Sequence, residues 1–536
     1  MIREADRQAA ILKLIEPVTV SEAVDRNARE MGDVEGVVDA TRRLTWSQVK
    51  ERSDRLAMAL LDLGLLRNDV VLVQMANGVD LYTVRVGCEK AGVRQVAVPV
   101  TFREAELRAI VETTRPVMAF VAPEYRGFSF ANTAASLLQN NAGFKLVVVA
   151  GDTSEGGAIS LEEFLSEPAR DSSAIARTRL GFFDIAEIQT TSGSTGVPKC
   201  VDVPIAARTL TGHIHAQRFG VTSSDVIMAL TPMVSGTSGA LAYFNGARLH
   251  SRVVFTSHFD AAEVLEFLRR EKVTVAVGVP TMLAQLVRLP EFSRSRLPDL
   301  RVIVSHGSLL VEELGREIEA RTGARIVQAY GSTDFGGLCA SRYEDLPEVR
   351  LRTVGSPLEG NELRLVDDEG RDVPRGEVGR ILVRGLHAHA GYHRNPQLWA
   401  DAWATGYFDM QEFGRFDDEG NLSMAGRLKD IIIRGGQNIY PADVENLLAK
   451  HPSVAEVAVI GVPDREYGEK VCACVVPQPG QILTFEEMIE FLRLERIASF
   501  KLPERLEIVN ELPKGAGGMA KVDKAALRAK VAAKLD

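Results

Sequence analysis

Thr190-Thr191-Ser192-Gly193-Ser194-Thr195-Gly196-Val197-Pro198-Lys199 packs hydroxyl and glycine positions into one short run that ends on a lysine. Small residues let backbone N–H groups turn toward an anion, hydroxyls add donors, and a lysine adds a mobile positive charge. That is the chemistry of a loop that handles a polyphosphate. It is not the P-loop of NTPases, which needs Gly-Lys-Ser/Thr, because Pro198 precedes Lys199 and Cys200 follows it. A plain surface loop has a similar composition, so the decamer needs support from the rest of the chain.

On its N-terminal side, apolar runs at Val70–Met75, Val96–Val100, Val117–Val121 and Leu146–Ala150 read as strands, with helical spacing at Glu104–Glu112 between them. Thr45 with Gln48 three residues later signals a capped helix running to Leu63. The same rhythm continues past the decamer. Asp260 with Glu263 caps a helix through Arg270, and Val273–Val279 reads as a strand ending at Gly278-Val279-Pro280. This alternation predicts an α/β fold built on parallel sheets, with ligand loops beyond the carboxyl ends of the strands. From Gly355 to Arg384 the texture changes to short strands and turns, which predicts a β-rich subdomain over about 350–427. Beyond Arg427 a smaller α+β unit is expected: helices from Pro441 to Lys450 and from Thr484 to Leu494, strands Val454–Gly461, Lys470–Val476 and Arg505–Val509, and a last helix Lys521–Leu535.

At 536 residues the chain exceeds one ordinary core. A net charge of −9 argues against general nucleic-acid binding. No apolar run approaches the roughly 20 residues that cross a bilayer. The opening Met-Ile-Arg-Glu-Ala-Asp-Arg lacks the plan of a signal peptide, and the five scattered cysteines fit a reducing compartment, so a cytoplasmic protein is expected. Cys472 and Cys474 share one face of a strand and, with no further ligands nearby, are expected to be packed thiols.

Four further stretches follow the decamer in order: Tyr330-Gly331-Ser332-Thr333-Asp334, Gly406 to Glu412, Gly426-Arg427-Leu428-Lys429-Asp430, and Leu512-Pro513 with Lys521 beyond it. Together they resemble the adenylate-forming superfamily of acyl-CoA synthetases, nonribosomal adenylation domains and luciferases, over nearly the whole chain. The resemblance implies a large N-terminal domain over 1–428 and a small mobile C-terminal domain over 429–536. It implies that Thr191, Ser192, Gly193, Ser194, Thr195, Gly196 and Lys199 hold the ATP phosphates, and that Tyr330 stacks on adenine with Gly307-Ser308 on the other side. Gly331, Ser332 and Thr333 would bind the nucleotide, Thr333 at the α-phosphate, and Asp334 would hold Mg²⁺ where the family has glutamate. The usual Thr-Gly-Asp that binds ribose reads Met410-Gln411-Glu412, with Asp409 a nearby substitute acid and Arg427 beside the same ribose or phosphate. Lys429 matches the hinge, Gly435-Gly436 the loop of the thiol step, and Lys521 the adenylation lysine, with Lys514 and Lys524 as competitors and Ala520 where glycine is usual.

The implied reaction is ATP-dependent activation of a carboxylic acid to an acyl-adenylate and transfer to coenzyme A. The acyl pocket is expected near Ser235, Gly236, Gly278 and Val279, with room for an aromatic, alicyclic or medium-chain monocarboxylic acid. The expected partners are that acid, ATP and CoA; a homodimer is an arrangement the sequence leaves open. A stand-alone enzyme loading a carrier protein, and a nucleotide-binding protein that has lost turnover, remain as alternatives. The chain's end at its own small domain favours CoA over an attached carrier. His306, beside the adenine wall, is expected to be a hydrogen-bonded structural histidine.

Overall fold

The computed structural model describes residues 3–125, 128–151, 157–166, 173–191, 198–234, 236–308, 310–427, 430–434, 437–464, 467–495, 497, 499–514 and 522–534. Local signals place the elements much as expected. The helix Trp46–Asp62 starts behind Thr45, whose side chain and that of Gln48 form a reciprocal capping box. Asp260 caps Ala261–Arg270, and Thr484 with Glu487 caps Phe485–Leu494. The last helix is corrected: it spans Lys524–Ala532, because Asp523 accepts from the Ala526 amide and starts the helix there, not at Lys521.

Among the described residues two large sheets form the N-terminal part. One has nine strands, in the order Ser356–Pro357, Gly336–Ala340, Arg325–Ser332, Val302–His306, Val275–Gly278, Val226–Ala229, Arg252–Phe255, Glu35–Val38, Arg43–Thr45. The other has eight: Gly391–Tyr392, Lys199–Pro204, Ile185–Thr191, Arg94–Ala97, Val70–Gln74, Met118–Val121, Val147–Val149, Ile159–Ser160. The helices Val79–Ala91 and Ile205–Arg218 are buried along nearly their whole lengths. They share a core with Val71 and Val73 of one sheet and Val253 and Val275 of the other.

Both large sheets are mainly parallel, as expected, with antiparallel strands added toward their edges. Ile185–Thr191 runs parallel to Arg94–Ala97 but antiparallel to Lys199–Pro204, and Arg325–Ser332 runs parallel to Val302–His306 but antiparallel to Gly336–Ala340. The cause is connection length. A parallel return needs a crossover of about a dozen residues, and Thr191 to Lys199 or Ser332 to Gly336 is far too short. Both nucleotide-type loops therefore follow the carboxyl end of a strand that is parallel on one side and folds back as a hairpin on the other.

Asn361–Val366, Val378–Gly385, Phe408–Phe416 and Leu422–Arg427 make a separate antiparallel sheet with its own core around Phe335, Trp403 and Phe408. Gln437–Ile439, Ile432–Arg434, Gly468–Pro477, Val454–Asp464 and Arg505–Ile508 make a mixed sheet, antiparallel except that Arg505–Ile508 runs parallel to Gly468–Pro477, packed on Val444, Met488 and Leu492. These last two units meet where Phe413 and Tyr440 pack with ring centroids 5.5 Å apart and Arg415 lies 3.6 Å from Asp443. Cys472 and Cys474 are buried with sulfurs 3.9 Å apart.

Candidate nucleotide and acyl site

The phosphate-loop residues Ser192, Gly193, Ser194, Thr195 and Gly196 lie outside the described residues, as do Ser235, Lys429, Gly435, Gly436 and Lys521. At the base of this candidate phosphate loop, Thr191 pairs directly with Lys199 across the hairpin. Cys200, next to Lys199, is buried, and burial followed by the Asp202 charge pushes its thiol up to about 12, so it is a packing group and not a nucleophile.

The Tyr330–Asp334 turn comes next to Lys199. Ser332 Oγ accepts from the Phe335 amide at 3.0 Å and closes the turn. Gly331 and Gly336 are required here: a Cβ on Gly331 would sit 2.5 Å from the Gly336 carbonyl, and one on Gly336 (φ +123°) 2.3 Å from the His387 carbonyl. Lys199 Nζ stands 3.7 Å from Asp334 Oδ1, and the Tyr392 hydroxyl donates to the same oxygen at 2.6 Å. One partly exposed carboxylate, in no group of three or more metal-ligating side chains among the described residues, suits a hard cation that takes most of its ligands from phosphate oxygens and water.

On the other side of the turn, Tyr330 donates its hydroxyl to Glu412 Oε2 at 2.5 Å. Glu412 sits directly opposite Arg427 in the antiparallel ladder. Gln411, between Met410 and Glu412, has φ +53°, and its amide donates to Asp409 Oδ1 at 2.8 Å. Gln411 thus adopts the left-handed conformation that favours glycine, at the position where the Thr-Gly-Asp pattern has its glycine. Asp409, the substitute acid, is engaged with this amide and lies 3.6 Å from Arg380. Gly307 (φ +84°) turns the chain at the end of Val302–His306, and Ser308 beside it is exposed.

The 231–239 segment is held by side chains that sequence reading missed. Asn77 accepts from the Met233 amide at 2.7 Å and donates to the Thr231 carbonyl at 3.0 Å. Arg85 donates to the Met233 carbonyl at 3.1 Å and Gln189 to the Val234 carbonyl at 3.2 Å. His306 Nε2 lies 3.1 Å from Thr231 Oγ1, in keeping with a structural role. Gly236 opens a short helix that runs into the π-helix Gly239–Asn245, and a Cβ there would meet open space. Gly278 ends its strand with Leu230 3.1 Å from where a Cβ would lie, and Val279 is buried ahead of Pro280. His389 was also missed: its Nδ1 donates to the Thr333 carbonyl at 3.0 Å, and burial, helped by Arg208, lowers its pKa to about 3, so the ring is neutral. Asn77, Arg85, Gln189 and His389 lie in no recognisable motif; only their contacts reveal them.

Of the competing lysines, Lys524 is tied to Glu445 at 2.6 Å, and Lys514 pairs with Val522 in an isolated bridge.

No helix among the described residues is long and apolar enough to cross a membrane. Residues 24–393 match the family described as AMP-binding enzyme, and 443–518 its C-terminal domain. A salicylyl-CoA synthase / salicylate adenylyltransferase of Streptomyces sp is 32% identical over 95% of this chain and 93% of its own. The 3-[(3aS,4S,7aS)-7a-methyl-1,5-dioxo-octahydro-1H-inden-4-yl]propanoyl:CoA ligase of Rhodococcus jostii (strain RHA1) is 32% identical over 96% and 99%. Among solved structures, an anthranilate CoA ligase in complex with anthranoyl-AMP superposes with a TM-score of 0.88 at 26% identity, covering 98% of this chain and 99% of that one. With its large N-terminal sheets, its small C-terminal unit and these matches along its length, the chain belongs to the AMP-binding enzymes, within the adenylate-forming superfamily of acyl-CoA synthetases.

Proposed function

We propose that the chain is an AMP-forming acid–thiol ligase that activates an aromatic, alicyclic or medium-chain monocarboxylic acid with ATP and passes it to CoA. The observation that carries the reading is the convergence of Lys199, Asp334, Tyr330 and Glu412 around one turn, joining a phosphate-loop lysine, a cation acid, an aromatic platform and a ribose acid. In the first step the substrate carboxylate attacks the α-phosphorus and pyrophosphate leaves, with the Thr191–Gly196 loop, Lys199, Thr333 and Lys521 countering the charge that builds. Asp334, with the phosphates, would hold Mg²⁺, which would supply further charge neutralisation. Tyr330 and the Gly307-Ser308 backbone flank adenine, and Glu412 with Arg427 takes the ribose. The CoA thiol then attacks the acyl carbon and AMP leaves. The division falls at 428/429, with the β-rich subdomain over about 350–427; the part beyond turns about Lys429, withdrawing Lys521 and presenting Gly435-Gly436. Lys521 is preferred to Lys524 because Lys524 is committed to Glu445. The acyl group lies along Ser235, Gly236, Gly278 and Val279, and the open space at Gly236 leaves room for a ring. Names of relatives that act on salicylate, anthranilate and a fused-ring propanoate support an aromatic or alicyclic acid.

Transfer to a carrier protein is the second reading, favoured by the adenylyltransferase half of the Streptomyces relative's name. The test is AMP release from ATP and Mg²⁺ with benzoates, cyclohexane carboxylates and fatty acids, each with and without CoA. AMP that requires one acid class and CoA together is expected. Pyrophosphate exchange with no CoA-dependent AMP points to the carrier, and silence across the panel overturns both.

A further inference from the structure

Three side chains from separate parts of the chain meet where the two large sheets come together. Tyr392 lies on the edge strand Gly391–Tyr392, opposite Val201, with its ring packed edge-on against Trp399 at 5.5 Å between centroids. Its hydroxyl donates to Asp334 Oδ1 at 2.6 Å, reaching from the eight-stranded sheet to the turn at the end of the nine-stranded one. Lys199, on the strand that leaves the phosphate loop, approaches the same pair. Its Nζ lies 3.4 Å from the Tyr392 hydroxyl, 3.7 Å from Asp334 Oδ1 and 5.0 Å from the Tyr392 ring centroid.

The arrangement is compact and nearly charge-neutral: one ammonium, one carboxylate, and a phenol touching both. A tyrosine ring offers an ammonium a favourable face, and a hydroxyl donor fixes one carboxylate oxygen while leaving the other for a different partner. An incoming triphosphate carries more negative charge than one carboxylate and draws the ammonium toward itself. Asp334 then loses its compensating charge but keeps its tyrosine donor, so it stays in place and becomes a better partner for a hard cation.

We propose that Tyr392 is a positioning residue of the nucleotide site: it holds Asp334 by one oxygen and gives Lys199 its resting place, so that the Lys199–Asp334 pair is closed before ATP binds and opens as ATP binds. Nucleotide and cation binding are thereby coupled, since each relieves the contact that competes with the other. The proposal rests on the reading of Lys199 and Asp334 as phosphate and cation groups. It gives a role to a tyrosine that the sequence analysis passed over.

The test is a double-mutant cycle on the full chain. Binding of Mn²⁺ in the presence of a non-hydrolysable ATP analogue is read by electron paramagnetic resonance, and binding of metal-free ATP by calorimetry. Tyr392→Phe keeps the ring and its packing on Trp399. It is expected to weaken Mn²⁺ binding about tenfold, in line with loss of a hydrogen bond to a charged group. In the Asp334→Asn background the same change is expected to matter less than about twofold, because Tyr392 acts through that carboxylate. Equal losses in both backgrounds, or no loss in the wild type, overturn the proposal. A second readout needs no change at Tyr392. Asp334→Asn frees Lys199 and is expected to tighten metal-free ATP binding about fivefold, a gain that Lys199→Met cancels. Unchanged affinity in Asp334→Asn, or a gain that survives Lys199→Met, overturns the closed pair. Wild-type protein that binds no ATP at all overturns the nucleotide-site reading beneath it. ATP binding with an additive cycle overturns only the role of Tyr392.

Discussion

Tyr330 and Glu412 stand 82 residues apart in the chain, yet the tyrosine hydroxyl donates to Glu412 Oε2 at 2.5 Å. The platform assigned to adenine and the acid assigned to ribose therefore form one unit. Hydrogen bonds to charged groups contribute about 1.5–3 kcal/mol, so Glu412→Gln is expected to weaken ATP binding about tenfold. Tyr330→Phe is expected to cost less, and the double variant less than the sum of the two, since they share the bond. Calorimetric titration of the four proteins with ATP decides it; strict additivity would separate the two residues.

Gln411 keeps a left-handed backbone at φ +53° without being glycine. That conformation costs an ordinary residue about 1–2 kcal/mol, against about 0.5–1 kcal/mol for the extra freedom of an unfolded glycine. Gln411→Gly is thus expected to stabilise the protein by up to about 1 kcal/mol, seen as a higher denaturant midpoint with unchanged slope. A lower midpoint would mean that the Gln411 side chain contributes more than its backbone costs.

Two lysines near the C-terminus should part company. Lys524 is engaged with Glu445 at 2.6 Å, so Lys524→Ala is expected to lower the melting temperature while acyl-adenylate formation stays within about threefold. Lys521→Ala is expected to lower adenylation about a hundredfold or more, as loss of a group that stabilises transition-state charge does. Pyrophosphate exchange measures both, and the reverse ranking would move the catalytic lysine to Lys524.

Two buried histidines give the protein an acid limit above the carboxylate range. Burial lowers His387 from the ordinary 6.5 to about 4, and His389 from 6.5 to about 3. Both are neutral when folded, so above pH 6.5 folded and unfolded chains bind equal numbers of protons at these sites and stability is at its full value. As pH falls from there toward the folded values only the unfolded chain gains the protons, and stability drops by up to about 1.4 kcal/mol per pH unit for each histidine. Urea midpoints between pH 7 and 5 should fall accordingly, and His389→Gln should flatten the slope by one proton.

Asn77 bonds twice to the segment proposed to bear the acyl pocket, at 2.7 and 3.0 Å. Asn77→Ala leaves the Met233 amide without this acceptor, a loss of about 1–3 kcal/mol. The KM for the acid is expected to rise about tenfold with the KM for ATP unchanged. A parallel rise in both would make Asn77 a general fold residue.

Much of the fold was written locally. Thr45 with Gln48, Asp260 and Thr484 with Glu487 start helices at the predicted places because capping depends on residues within one turn. The strands were visible for the same reason, as short apolar runs, and the spacing from Gly406 to Arg427 put Glu412 at the aspartate position of the Thr-Gly-Asp pattern; only the strand register sets it opposite Arg427. The antiparallel return after Thr191 and after Ser332 was also implicit in connection lengths, although the α/β rhythm around them suggested only parallel strands.

The sequence alone therefore determined which residue types would gather at the turn and the phosphate loop, and in which order along the chain. Tertiary structure alone decided what holds them. Tyr392 reaches Asp334 across 58 residues and Lys199 across 193, while Asn77 meets Thr231 across 154. No local period encodes such pairs. They arise because the short strand Gly391–Tyr392 docks on the sheet edge beside Lys199–Pro204, and because the helix Val79–Ala91 is buried in the core shared by the two large sheets.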